Sequence, residues 1–224
     1  NYICKMITLS EENYIKAILT LSLKSLEKVS TNSIASEIGT TAASVSDMLK
    51  KLLEKKLINY EKYKGVSLTN KGRVLATTII RKHRLWETFL VDCLNFDWSE
   101  VHIVAEQLEH IQSEKLIDKL DKFLEYPEFD PHGEPIPTKE GIIPNSNTVP
   151  LNKLNTFTKG LVMGVTLDEK KFLHYLTKLN ISIGTKITIE EKIDFDNSLN
   201  IKINDSFHHV SSNVAKHLLI KIIK

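Results

Sequence analysis

The chain has 224 residues, 42% of them hydrophobic, with a formal net charge of +2, and that length supports two or three small domains with real cores. No apolar run approaches the roughly 20 residues needed to cross a bilayer and no signal-peptide pattern is seen, so the expectation is a cytoplasmic protein. Its natural start is expected at Met6, with Asn1 to Lys5 left over from elsewhere; Cys4 and Cys93 form neither a disulfide framework nor a C-x-x-C motif.

Taken in chain order, Ser10 is expected to cap a helix running to about Lys24, with Tyr14, Ile18 and Leu21 on one face. Thr31 or Asn32 opens a second, short helix through Ile38, which Gly39 ends. Thr41 opens a third through about Lys56, with Val45, Met48, Leu49 and Leu52 apolar. A short helix, a glycine turn and a second helix make the helix-turn-helix pattern. Two alternating runs, 57–60 and 66–69, joined by residues 61–65, predict a β-hairpin wing with a basic tip.

A long helix is expected from Asn70 to about Cys93, followed by helices over 99–111 and 113–124. Their apolar faces exceed what the small N-terminal module can bury, and a homodimer interface is the economical solution. Residues 126–150 hold all six prolines and read as a loop. After about Leu154 the pattern turns to short β-branched strands at 181–183, 186–191 and 199–203. A helix over 168–179 lies among them, and 214–222 closes the chain. The fold class expected is therefore mainly α with small β. A winged helix-turn-helix (1–73) precedes a helical dimerisation domain (74–144), a linker (145–154) and an SH3-like, FeoA-like β-barrel (155–224).

Charge is unevenly spread. Residues 1–75 carry 12 Lys/Arg against 7 Asp/Glu, residues 76–150 carry 7 against 14, and residues 151–224 carry 11 against 7. A basic first third beside an acidic middle points to a nucleic-acid module joined to a cation-attracting one. In the third helix Thr41, Ala43, Ser44, Ser46 and Asp47 are small or polar and would face the major groove. No Arg, Asn or Gln is there for a bidentate base contact. Affinity would come mainly from phosphates through Lys50, Lys51, Lys62 and Lys64, with part of the sequence preference read as DNA shape. Lys55 and Lys56 read as solvated helix-end charges.

The middle third carries the chemistry. On a helix, His102, Glu106, Glu109 and His110 fall at i, i+4, i+7 and i+8, on one face. Two imidazoles and two carboxylates there are costly to bury unless a cation sits against them, and a divalent metal is the obvious one. His83 and Glu87 form a second pair, one turn apart on the preceding helix. The bland alternative is a solvated face supported by i,i+4 pairs.

Four motifs occur in order over about residues 7–140: Ser-Glu-Glu-Asn-Tyr-Ile-Lys-Ala-Ile (10–18), Arg-Lys-His-Arg-Leu-Trp-Glu (81–87), Val-His-Ile-Val-Ala-Glu-Gln-Leu-Glu-His (101–110) and Pro-His-Gly-Glu-Pro-Ile-Pro (131–137). In these the chain resembles the diphtheria-toxin-repressor and manganese-transport-regulator family of metal-dependent repressors. The resemblance implies a homodimer of winged helices whose binding to operator DNA is switched on by a divalent metal. It implies a primary metal site at Asn13, Glu106, Glu109 and His110, and an ancillary site at His83, Glu87 and His102. Asp130 and His132 are further candidates, because in some relatives the proline-rich loop supplies ligands. Near residues 162–168 no clear counterpart to the C-terminal ligands of iron-type members is seen, and His208 and His209 read as a solvated turn.

Departures from the family pattern refine the metal. Iron-type members often place Cys at position 106 and Met at 13, whereas Glu106 and Asn13 are hard oxygen donors, leaning toward Mn2+ with Fe2+ as the alternative. Members with a two-metal cluster use acids at 13 and 16; Asn13 and Lys16 favour separated sites instead. Two other classes compete: a winged-helix regulator sensing an organic ligand, and a metallohydrolase, for which no H-E-x-x-H motif is present.

Overall fold

The computed structural model describes residues 7–24, 28–61 and 65–223. Cys4, Met6 and the wing-tip lysines Lys62 and Lys64 lie outside them. The chain divides into two compact units, one made of residues 1–83, 107–113 and 137–143, the other of 84–106, 114–136 and 144–224.

The first unit contains α1 (Leu9–Lys24), α2 (Thr31–Ile38), α3 (Ala42–Glu54), β1 (Ile58–Glu61), β2 (Gly65–Leu68) and the start of α4 (Asn70–Leu94). The cap of α1 is Thr8, not Ser10. The Thr8 N–H donates to Glu11 Oε2 at 2.7 Å and the Glu11 N–H to Thr8 Oγ1 at 3.3 Å, which is a reciprocal capping box. Ser30 and Thr41 cap α2 and α3 by accepting the N–H of Ser33 and Ser44. Between them Gly39 takes φ +73°, a left-handed helix end that favours glycine. Ile15, Ile18, Leu19, Ile34, Val45, Leu49, Leu52 and Ile58 are buried together. Truncating one such leucine to alanine costs about 2–5 kcal/mol. Lys55 is not a solvated end: it caps α3 and its ammonium lies 2.6 Å from the buried carboxylate of Glu11. The wing pairs Ile58 with Leu68 through to Glu61 with Gly65, and Val29 bridges to Val66. At Gly72 an added Cβ would lie 2.0 Å from the Leu57 carbonyl oxygen, so the first turn of α4 can press on the wing only as glycine.

The second unit holds the remainder of α4, most of α5 (Val101–Leu108), α6 (Glu114–Phe123) and a six-stranded sheet with α7 (Lys170–Lys178) and α8 (Ser212–Ala215). The strands are β3 (Val149–Pro150), β4 (Lys159–Val165), β5 (Lys186–Lys192), β6 (Leu199–Ile203), β7 (Ser206–Val210) and β8 (Leu218–Ile222). They are antiparallel in the order β3-β8-β4-β5-β6-β7. Alternate residues such as Ile187, Ile189, Leu199, Ile201 and Ile203 face a core shared with Leu173 and Leu176 of α7. The strand expected at 181–183 is a turn, in which the Ser182 N–H donates to Thr185 Oγ1 at 2.9 Å. Strand β4, with two glycines, and β7, with two histidines, carry weak strand patterns and were not anticipated. His208 and His209 therefore lie on an edge strand rather than in a turn, and His209 Nδ1 meets Asn200 Oδ1 at 2.9 Å.

Candidate functional site

In the first unit, α1 meets the segment just after α5. Glu12 is 4% exposed, and its Oε2 lies 2.6 Å from His110 Nδ1. Gln112 donates to the other oxygen of Glu12 at 3.1 Å. A carboxylate on Nδ1 fixes the proton there and leaves His110 Nε2 as a donor of electrons to a metal. That nitrogen lies 3.9 Å from Oε1 of Glu109. The other oxygen of Glu109, Oε2, is held by Lys16 Nζ at 2.6 Å and by His83 Nδ1 at 2.6 Å. Burial works against the Glu109 charge, but His83 and Lys16 outweigh it and hold the pKa below the usual carboxylate range. One nitrogen and one oxygen thus face each other, each held from behind. Asn13 follows Glu12 on α1 and is exposed. His83, expected in the ancillary set with Glu87 and His102, also contacts Glu109 in this unit. Glu12 was missed: it precedes the position to which the resemblance drew attention, and its partner is 98 residues away.

A second cluster lies within the second unit. Glu87, Asp130 and His132 are all buried, and one ligand atom from each lies within 4.8 Å of the others. His132 Nδ1 is 3.6 Å from Glu87 Oε2, while His102 Nδ1 is 3.2 Å from Glu87 Oε1. His102 Nε2 lies 3.4 Å from Glu106 Oε1, and Asp168 Oδ2 approaches His102 Nδ1 to 3.8 Å. Glu106, expected with Glu109 and His110, is thus placed beside His102 in this unit. Asp168 supplies a carboxylate from the segment before α7, and no sequence pattern pointed to it.

The proline-rich loop is built to present its two donors. Asp130 Oδ1 accepts the N–H of His132 at 2.8 Å and of Glu134 at 2.9 Å, and the Arg84 guanidinium lies 3.6 Å from Oδ2. The His132 carbonyl accepts the Val165 N–H at 2.9 Å. At Gly133, φ is +79° and a Cβ would stand 1.7 Å from the Met163 carbonyl oxygen, so only glycine lets the loop lie on β4.

Electrostatics mark the cluster as short of positive charge. Glu106 first, then Glu87, pushes His102 up to about 10. Burial would lower His132, yet Glu87 and Asp130 push it up to about 9. Burial, then the charge of Glu87, raises Asp130. Protons hold these groups together, and a divalent cation can replace them. Two carboxylates and an imidazole around one point, with no sulfur donor, fit a hard or borderline ion.

The face of α3 expected to meet DNA is open. Thr41, Ala43, Ser44, Ser46, Asp47, Lys50 and Lys51 are all exposed. Asp47 Oδ1 takes Lys50 Nζ at 2.9 Å, and that contact lowers the Asp47 pKa. Ser46 turns its hydroxyl back to the Ala42 carbonyl at 2.9 Å, leaving it less available to a base edge.

Three family models match successive parts of the chain. Residues 6–66 match the N-terminal DNA-binding domain of iron-dependent repressors, residues 69–138 their metal-binding and dimerisation domain, and residues 149–222 the FeoA domain. A 73-residue stretch is 44% identical to a probable metal transport system membrane protein of Chlamydia trachomatis, covering 33% of this chain and 16% of that one. Over 126 residues the chain is 34% identical to the iron-dependent repressor IdeR of Mycobacterium tuberculosis, covering 56% of this chain and 54% of that one. The chain thus spans about half the length of the curated iron-dependent repressors it matches. A solved manganese-dependent transcriptional repressor in complex with manganese superposes with a TM-score of 0.87 at 31% identity, over 95% of this chain and 100% of that one.

Proposed function

The chain belongs to the diphtheria-toxin-repressor and manganese-transport-regulator family of metal-dependent transcriptional repressors, and on that premise we propose that it is a divalent-metal-activated DNA-binding repressor of metal-ion homeostasis. It acts as a homodimer on operator DNA. Mn2+ is the cognate ion and Fe2+ the alternative. The observation that carries this reading is the buried convergence of Glu87, Asp130 and His132, whose ligand atoms lie within 4.8 Å of one another. Three buried ionisable groups so placed have no packing purpose that leucines would not serve better.

Two separate centres are assigned. The first uses Glu109 and His110 with Asn13 from α1, and Glu12, Lys16 and His83 orient them. The second uses Glu87, Asp130 and His132, with His102 and Asp168 alongside. Glu106, which the resemblance places in the first set, sits beside His102, and the change in metal-activated DNA binding of Glu106→Ala, read by anisotropy, tests whether it serves either centre. A divalent cation supplies at each centre the positive charge that the carboxylates lack. Glu12 and Lys16 tie α1 to the 109–110 segment, so filling the first centre stiffens the module that carries α3. The residues exposed on α3 are then held in one orientation, and DNA must in turn tighten metal binding by the same factor.

The test is fluorescence anisotropy on DNA from the promoter of the chain's own gene, metal-free and then titrated anaerobically with Mn2+, Fe2+ and Zn2+. Tight binding only with metal, with Mn2+ effective at the lowest free concentration, is expected. Equal binding with and without metal overturns the reading and directs attention to an organic effector.

A further inference from the structure

Trp98 is joined to the second centre by two contacts and to α7 by a third. Its backbone carbonyl accepts His132 Nε2–H at 2.8 Å. Its indole stacks on the imidazole, with ring centroids 6.1 Å apart and planes 17° from parallel. Its Nε1–H reaches Thr177 Oγ1 of α7 at 3.3 Å, and the ring packs on the core of the sheet. None of these contacts involves a candidate ligand other than His132, and the sequence reading gave Trp98 no role.

The carbonyl contact decides which nitrogen of His132 can bind an ion. A carbonyl only accepts, so Nε2 must carry a proton, and Nδ1 is left to face Glu87 Oε2 at 3.6 Å. The stacked indole closes off rotation of the ring about its Cβ–Cγ bond, in the preferred offset geometry. The bond to Thr177 makes the placement of the indole depend on α7. Asp168, just before α7, approaches the same centre from His102's side.

The geometry points to Trp98 as the positioning residue of the second centre: it fixes His132 as an Nδ1 ligand and makes that presentation depend on the docking of α7. The inference rests on the second centre being a metal site. Outer partners of ligating histidines set ring orientation and basicity, and losing one weakens binding about 10–100-fold. Trp98→Phe keeps a stacking ring and the carbonyl, Trp98→Ala keeps only the carbonyl, and Thr177→Val removes the acceptor on α7.

Zn2+ titration by calorimetry of the full chain, with long-range proton–nitrogen spectra of the metal-free histidines, tests this. Wild type should show His132 protonated at Nε2 and Zn2+ bound through Nδ1. Trp98→Ala should lose about tenfold or more at the second centre while the first is unchanged, and Trp98→Phe should restore affinity to within about threefold. Thr177→Val, which loses only the bond to α7 that Trp98→Phe also lacks, should show a measurable loss no larger than that of Trp98→Phe. Wild-type affinity in Trp98→Ala, or a neutral His132 tautomer with its proton on Nδ1 and none on Nε2, overturns the proposal. First-centre affinity in the same titration reports folding, and if Trp98→Ala fails that control the Thr177→Val shift decides. A wild-type chain that binds no ion at the second centre refutes the metal reading itself, whereas the tautomer still tests the contact.

Discussion

Lys16 Nζ lies 2.6 Å from Oε2 of Glu109, a carboxylate that is 1% exposed and whose other oxygen faces His110. An ammonium therefore already offsets the charge of a carboxylate assigned to the first centre. Replacing Lys16 by methionine should tighten divalent binding at the first centre by about tenfold, because a like charge a few ångströms from the ion is removed. It should also destabilise the metal-free protein by about 1–3 kcal/mol, since buried Glu109 loses a charged donor. Calorimetric titration with Mn2+ and urea denaturation without metal read the two effects. Unchanged affinity would show that Lys16 is only a structural partner of Glu109.

Glu12 acts from behind His110. Glu12→Gln keeps the size and one acceptor but removes the charge that makes His110 a better ligand. First-centre affinity should fall about 10–100-fold while the second centre is unaffected. His110→Ala should abolish metal-activated DNA binding without unfolding the metal-free chain, as followed by anisotropy and circular dichroism. Full activation of His110→Ala by Mn2+ would remove His110 from the centre.

The helical half was legible because its signals are local. Caps, the Gly39 break and the 3.6-residue spacing of apolar positions are properties of neighbours in sequence, and all three α-helices of the DNA-binding module lie where that spacing put them. The sheet was read less well. Strand β4 gains its place by pairing with β8 and β5, far away in sequence, and its glycines hide the pattern. The same reason governs the candidate sites. His102, Glu109 and His110 stand out by spacing, and the proline-rich loop stands out by composition. Glu12, Asp168 and Trp98 become visible only when residues about 35 to 100 apart are brought together, and no periodicity encodes that.

Proton competition gives the second centre a defined pH dependence. The folded-state pKa of His132 is pushed up to about 9, above its ordinary value, with Glu87 and Asp130 overcoming burial. A raised histidine stabilises the metal-free fold fully below the unfolded pKa of about 6.5, and that contribution is lost as pH rises through about 9. Metal must displace the proton, so ion affinity moves the opposite way and climbs from pH 6.5 to about 9. Calorimetry at pH 7.5 in buffers of different ionisation enthalpy should show protons released per ion bound. Denaturation of the metal-free chain at pH 6 and pH 9.5 should show lower stability at the higher value. No proton release at pH 7.5 would exclude protonated His132 as the resting state.

Asp47 sits in the middle of the exposed face of α3 with Lys50 bound to it at 2.9 Å. At a phosphate backbone the aspartate would repel DNA and hold back a lysine that could otherwise neutralise a phosphate. Asp47→Asn should therefore tighten binding to DNA of any sequence, and the slope of log affinity against log salt should steepen by about 1 for the freed lysine. The gain for the operator should be smaller than for random DNA if Asp47 also discriminates between bases, because an acid at a base edge accepts from the amino groups of cytosine or adenine and is repelled by the acceptor edges of guanine and thymine. Anisotropy titrations of the Mn2+-loaded wild type and variant, at several salt concentrations on both DNAs, separate the two roles. An equal gain on both makes Asp47 a general brake, a smaller gain on the operator makes it a reader, and no gain on either removes α3 from the DNA interface.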